Sequence, residues 1–188
     1  MINELDYFDK YQQYLQGRYW TMRSALNILH QRGGSTIVET GCMRGFQDWG
    51  AGMSTYVLGE YVSKFGGHVY SVDIDPHNVA IAKHATQEMP VTVIEGDSIE
   101  YLTNFDKPID LLYLDSYDMG DSAEQAKAAE NHQLKEIDAA WEKLSANAII
   151  LLDDCNFIQG GKTGLTRSFL DAQGCTEIFK FQQSLWIK

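Results

Sequence analysis

Five apolar, β-rich runs in this chain end on carboxylates. STIVE ends on Glu39, HVYSVD on Asp73, VTVIEGD on Asp97, IDLLYLD on Asp115, and AIILLDD on the pair Asp153 and Asp154. Burying an unpaired charge is costly, so core residues that run straight into an acid call for a reason. One reason is local: an acid at a strand end caps the next helix or closes a turn. That reading suits any single position. A set repeated at successive strand ends suits a shared ligand better. Carboxylates there can accept hydrogen bonds from hydroxyls, hold a cation, or take a proton from a nucleophile.

The elements between these acids decide whether they can meet. Helix-like stretches alternate with the apolar runs: Met53–Phe65, His77–Glu88 and Ala123–Leu144. Strand–helix alternation with near-continuous apolar strands predicts a doubly wound, mostly parallel, Rossmann-like α/β sheet with helices on both faces. In such a sheet the strand ends share one edge, and ligands bind in the crevice outside it. The tail TEIFKFQQSLWIK holds two β-rich runs around Gln182-Gln183 and predicts an antiparallel hairpin, for about seven strands in all. No linker divides the chain, so residues 1–188 are read as one domain, with an N-terminal helical region over 1–34. Within it, Tyr7, Tyr11, Tyr14 and Leu15 recur at helix spacing, and Gly33-Gly34 ends the run. This aromatic stripe is expected to pack on its own core; the alternatives are a cover for an acceptor site or a homodimer contact.

Composition narrows the partners. The formal net charge is −11, and no dense Lys/Arg cluster occurs. This argues against nucleic acid or an anionic membrane as partner and agrees with a positively charged ligand. The three cysteines form no CxxC pair, and the polar N-terminus lacks an apolar signal core. The expected location is the cytoplasm.

The turn after the first run reads ETGCMRG, residues 39–45. It is a nucleotide-type turn, but Met43 stands where a second glycine of GxGxxG would be. With an acidic rim, a pyrophosphate is disfavoured. A cationic nucleoside without phosphate fits, and S-adenosylmethionine (SAM) is one: its sulfonium and amino groups are cationic and its ribose offers two hydroxyls.

On these residues the chain resembles a class I SAM-dependent methyltransferase. IVETGCMRG is similar to the family's first motif, VYSVDIDP to its second, and VIEGDSIEYL to its third; IDLLYLDSYD and AIILLDD resemble the fourth and fifth strands. The resemblance implies that Glu39, Gly41, Cys42 and Gly45 surround the methionine part. It implies that Asp73 binds the ribose beside Ile74, with Asp75 as second candidate, and that Asp97 and Ser98 lie by the adenine. Asp115 completes the cofactor set. The long interval from Gly45 to Asp73, with its insert DWGAGMST, departs from the family pattern.

A narrower resemblance is to the divalent-metal-dependent small-molecule O-methyltransferases. It implies Asp115, Asp153 and Asp154 as ligands to Mg²⁺ or a similar hard cation, which would offset their repulsion and lower the pKa of an acceptor hydroxyl. A shift of one residue would instead match Asp154 and Cys155. The lysine base of catechol-type enzymes is replaced here by Asp118. His132, near the start of a helix leading back to the fifth strand, is the candidate base beside Asp115; an exposed capping residue is the alternative. Tyr117 could stack on a substrate ring or cover the core. The loop FIQGGKTG, residues 157–164, is a candidate lid with Lys162 free for an anion, or a plain surface loop. The expected function is methyl transfer from SAM to a small-molecule acceptor at a hydroxyl. The alternatives are SAM binding without transfer, or a metal-dependent enzyme on the same scaffold.

Overall fold

The computed structural model describes residues 6–50, 53–157 and 161–188. Ala51 and Gly52 of the glycine-rich insert, and residues 158–160 of the candidate lid, lie outside the described residues. Seven strands form one sheet: β1 (Thr36–Thr40), β2 (His68–Asp73), β3 (Val91–Glu95), β4 (Ile109–Leu114), β5 (Leu144–Leu152), β6 (Thr176–Lys180) and β7 (Ser184–Ile187). Their order is β3-β2-β1-β4-β5-β7-β6. The first five are parallel, and the β6–β7 hairpin joins β5 antiparallel. The order reverses between β1 and β4, where an open α/β sheet leaves its crevice.

Apolar residues cover both faces, as the unbroken apolar runs require. One face carries the N-terminal region and helix α3 (Ser54–Phe65) over Ile37, Val69, Leu111 and Ile149. The other carries α5 (Ser98–Asn104), α6 (Ala123–Ala140) and α7 (Gly164–Ala172) over Val38, Leu112, Ile150 and Trp186. Helix α4 (Pro76–Ala85) packs Val79 and Ala82 with Cys42, Met43 and Val93 in a third cluster. The described residues contain no helix long and apolar enough to cross a membrane.

One element differs from expectation. The N-terminal stretch is a chain of short pieces: a 3-10 turn (Asp6–Tyr11), α1 (Gln12–Leu15), a second 3-10 turn (Gln16–Arg18), then α2 (Tyr19–Arg32). Gln16 breaks the helix at φ +46°. Gly17 lies against the hairpin tip, where a Cβ would come within 2.6 Å of Gln182 Oε1. Tertiary packing at that point overrides the helical periodicity. Of the aromatic stripe, Tyr11 is buried and Tyr7 half-buried, while Tyr14 is exposed and stacks on Trp49. After β1 the helix expected over Met53–Phe65 is found. No helix opens on the glycines directly after β1, and α3 begins at Ser54. Gly41 adopts φ +80°, and a Cβ there would lie 2.6 Å from the Asp115 carbonyl oxygen. The close approach of the β1 and β4 ends requires glycine and carries the chain into a loop.

Candidate active site

A cavity of about 480 Å³ opens at the carboxyl ends of β1 to β4. Gly41, Cys42, Asp73, Ile74, Asp97, Ser98 and Asp115 line it, so seven of the nine expected cofactor residues converge there. Five aspartates face the cavity: Asp73, Asp75, Asp97, Asp115 and Asp118. Arg44 is the only Lys or Arg among its described lining residues. The chemistry of this wall fits a cationic nucleoside and opposes a phosphate.

The two carboxylates after β2 do different work. Asp75 N-caps α4, its Oδ1 accepting the His77 N–H at 2.8 Å, with Pro76 in the first turn. Asp73 is held by the backbone of the cavity wall: Oδ2 accepts the Cys42 N–H at 3.0 Å and Oδ1 accepts the Asp75 N–H at 2.8 Å. Its carboxylate is thereby locked in place on the cavity wall, which suits recognition of a diol. Asp97 is both a cap and a wall residue. It caps α5 through the Glu100 N–H at 2.9 Å and also lines the cavity.

Glu39 and Gly45 do not line the cavity. Glu39 is fully buried behind it, accepting from Thr55 Oγ1 at 2.6 Å and from the Ser71 hydroxyl. Thr55 Oγ1 in turn accepts the Met43 N–H at 2.9 Å. Glu39 therefore buttresses the loop that forms the wall. Burial pushes its carboxyl up to about 7, against the pull of hydroxyl donors on Ser54, Ser71 and Thr55. Gly45 departs because the chain has left β1 in a loop rather than a helix. Across the cavity mouth, Arg44 makes a bidentate bridge to Asp118, at 3.0 and 2.6 Å.

The acids after β4 and β5 occupy a different environment. Asp153 is fully buried and accepts from Arg18 Nε at 2.7 Å, from Gln183 Nε2 at 3.1 Å and from the Tyr113 hydroxyl. Asp115 and Asp154 are bridged by Lys162, whose Nζ lies 3.1 Å from an oxygen of each. The expected Mg²⁺ triad is therefore corrected. These carboxylates are bonded to an ammonium and a guanidinium, so they do not fit a divalent cation. Among the described residues no cluster of His, Cys, Asp or Glu is arranged to hold a metal. Cys155 is no substitute ligand: burial pushes its thiol up to about 11, away from the thiolate. Nor is Lys162 available to an anionic substrate, being 1% exposed.

Burial also sets the charge states. It drives the Asp115 carboxyl well above its ordinary value, reinforced by Asp153 and opposed by Lys162. Burial acts the same way on Asp153, but Arg18 overrides it and holds Asp153 below the usual range.

His132 lines the cavity from α6, as Asp115 does from the end of β4. Its Nε2 lies 3.0 Å from Ser98 Oγ and 3.4 Å from Glu136 Oε1, and the Tyr117 ring stands over it at 5.1 Å. It belongs with Ser98, on the side assigned to the adenine. Tyr117 takes φ +59°, a conformation that non-glycine residues rarely adopt. The sequence reading missed Arg18, Tyr113 and Gln183. Arg18 lies 135 positions before Asp153, and nothing in its surroundings marked it.

Sheet order, switch-point cavity and acid-lined wall together define a class I SAM-dependent methyltransferase fold. A family model described as a methyltransferase domain matches residues 48–155, more than half of the chain, and the chain belongs to that family. No curated protein matches it. Among solved structures it is similar to the SAH-bound methyltransferase PaMTH1 of Podospora anserina, with 15% identity, a TM-score of 0.64, and coverage of 97% of this chain and 87% of that one. It is also similar to CalS11, a TDP-rhamnose 3'-O-methyltransferase of calicheamicin biosynthesis, at 12% identity, TM-score 0.65, and 99% and 87% coverage. The T. thermophilus 16S rRNA N2 G1207 methyltransferase RsmC aligns at 12% identity and TM-score 0.61, over 92% of this chain and 42% of that one. At these identities the likeness is one of fold.

Proposed function

We propose that the chain transfers a methyl group from SAM to a hydroxyl of a small-molecule acceptor. The observation that carries this is the convergence of Gly41, Asp73, Asp97, Ser98 and Asp115 on one cavity at the topological switch point. In this reading Asp73 holds the ribose hydroxyls, Asp97 and Ser98 flank the adenine, and the Gly41–Cys42 backbone admits the methionine part. SAM, when bound, supplies an electrophilic methyl on a cationic sulfur. The protein's tasks are to align the acceptor with that methyl and to remove its proton. Asp115 is the base: it lines the cavity, and Lys162 fixes one of its oxygens there. His132 serves the adenine side instead. Mg²⁺ has no part in this reading, since Lys162 and Arg18 already hold the acids. The formal net charge of −11 favours a small acceptor over RNA, whose phosphates it would repel.

Calorimetry and thermal unfolding with SAM and S-adenosylhomocysteine test the cofactor. Binding with a raised Tm is expected, and no response at millimolar ligand would refute the reading. Turnover is then assayed on panels of hydroxylated small molecules and of RNA. Methylation of RNA alone would reassign the acceptor. Binding without turnover across both panels would recast the protein as a SAM-binding module.

A further inference from the structure

We infer that Lys162 is a built-in cation: it stands among the strand-end acids where a divalent ion would sit, and it positions Asp115 at the cavity. Its ammonium has three protons and meets three acceptors: Asp115 Oδ1 at 3.1 Å, Asp154 Oδ2 at 3.1 Å and the Ser116 carbonyl at 3.0 Å. A divalent ion would need the same carboxylate oxygens at much shorter range and in near-ideal geometry. It could enter only by evicting a fully engaged ammonium. The third acid is taken as well, because Arg18 Nε donates to Asp153 Oδ2 at 2.7 Å.

The lysine is placed by its backbone rather than by the reach of a flexible side chain. Gly161 adopts φ +73°, and a Cβ there would fall 1.7 Å from the Asp154 carbonyl oxygen. That same oxygen accepts the Lys162 N–H at 3.2 Å. Asp154 itself sits at φ +61°. The chain thus folds back onto the residue whose charge it offsets, and only glycine fits the crossing. At 1% exposure, Lys162 is screened from water, so its ion pairs act at short range in a poorly solvated setting. Asp115, by contrast, lines the cavity. Fixing one of its oxygens on Lys162 sets the orientation of the carboxylate there, the task a bound metal would otherwise perform. The catalytic consequence rests on the methyl-transfer reading; the cation assignment does not.

The test needs no SAM. EDTA-treated protein is titrated with Mn²⁺ and followed by electron paramagnetic resonance of the free ion, with thermal unfolding in parallel. Wild type is expected to leave millimolar Mn²⁺ free and to keep its Tm. K162R, which retains a cation, should behave the same. K162A should gain stoichiometric Mn²⁺ binding and recover part of its lost Tm when Mn²⁺ is added, which a merely structural lysine would not produce. One Mn²⁺ bound by wild type and lost in D154N would overturn the assignment. So would a folded K162A that binds none. If K162A does not fold, the wild-type and D154N titrations decide alone: metal-free wild type upholds the assignment, and D154N-sensitive binding overturns it.

Discussion

The two halves of the carboxyl edge use the same residue type in opposite ways. At the ends of β2 and β3, Asp73 and Asp97 are held by backbone N–H groups and face an open cavity. At the ends of β4 and β5, Asp115, Asp153 and Asp154 are held by side-chain cations and lie largely or wholly out of water. Amide donors orient a carboxylate without cancelling its charge, so the first pair remains available to a ligand. Fixed cations cancel the charge, so the second group becomes scaffold, and only Asp115 keeps a face on the cavity. An acid at a strand end therefore signals a place in the fold; its partners decide whether it binds, reacts or supports.

The comparison breaks most severely at Lys162. Lys162→Met leaves two carboxylates without their cation, and the loss of stability should reach about 3–5 kcal/mol, read from urea unfolding. Removing a carboxylate on the open side should do the reverse, with ligand affinity lost and the fold kept. Asp73→Ala removes the acceptor proposed for the ribose hydroxyls, so SAM affinity should fall by roughly 100-fold, or about 3 kcal/mol, in calorimetry, with a smaller loss of Tm from the freed Cys42 and Asp75 N–H groups.

Glu39 lies beneath this boundary and supplies a pH test. Burial pushes its carboxyl up to about 7 when folded, against an ordinary 4.5. The folded state then holds more protons between these values, so stability from this group is present at low pH and declines as pH rises toward 7. Glu39→Gln removes the titration. Relative to wild type it should gain stability across that window, by up to about 3 kcal/mol, and level off above it. Equal pH profiles for the two proteins would show that Glu39 is not protonated in the fold. The smallest effect is expected at the cavity mouth. The Arg44–Asp118 bridge is substantially exposed, so Asp118→Ala should change stability by less than about 1 kcal/mol, and any larger effect should appear in SAM association.

Much of this was legible in the residues alone. Alternation of apolar runs and helical stretches implied the doubly wound sheet, and the tail pattern implied its hairpin. The cavity wall followed from the acids because strand ends in a parallel sheet must share an edge. The helix expected across Gln16 was wrong because a distant side chain, Gln182, approaches too closely for the local preference to prevail. His132 was placed on the right edge, and Glu136 follows one helical turn on, but its partner Ser98, 34 positions away, could not be read from spacing.

What the sequence determined by itself was the order of elements and the edge on which the acids gather, because both follow from periodicity and from the geometry of parallel strands. What only the tertiary structure decided was the electrical state of those acids. Arg18 reaches Asp153 from a broken N-terminal helix, and Lys162 reaches Asp115 and Asp154 from a loop that turns back through Gly161. Charge pairing depends on distances of a few ångströms between residues far apart in the chain, and no local pattern encodes them.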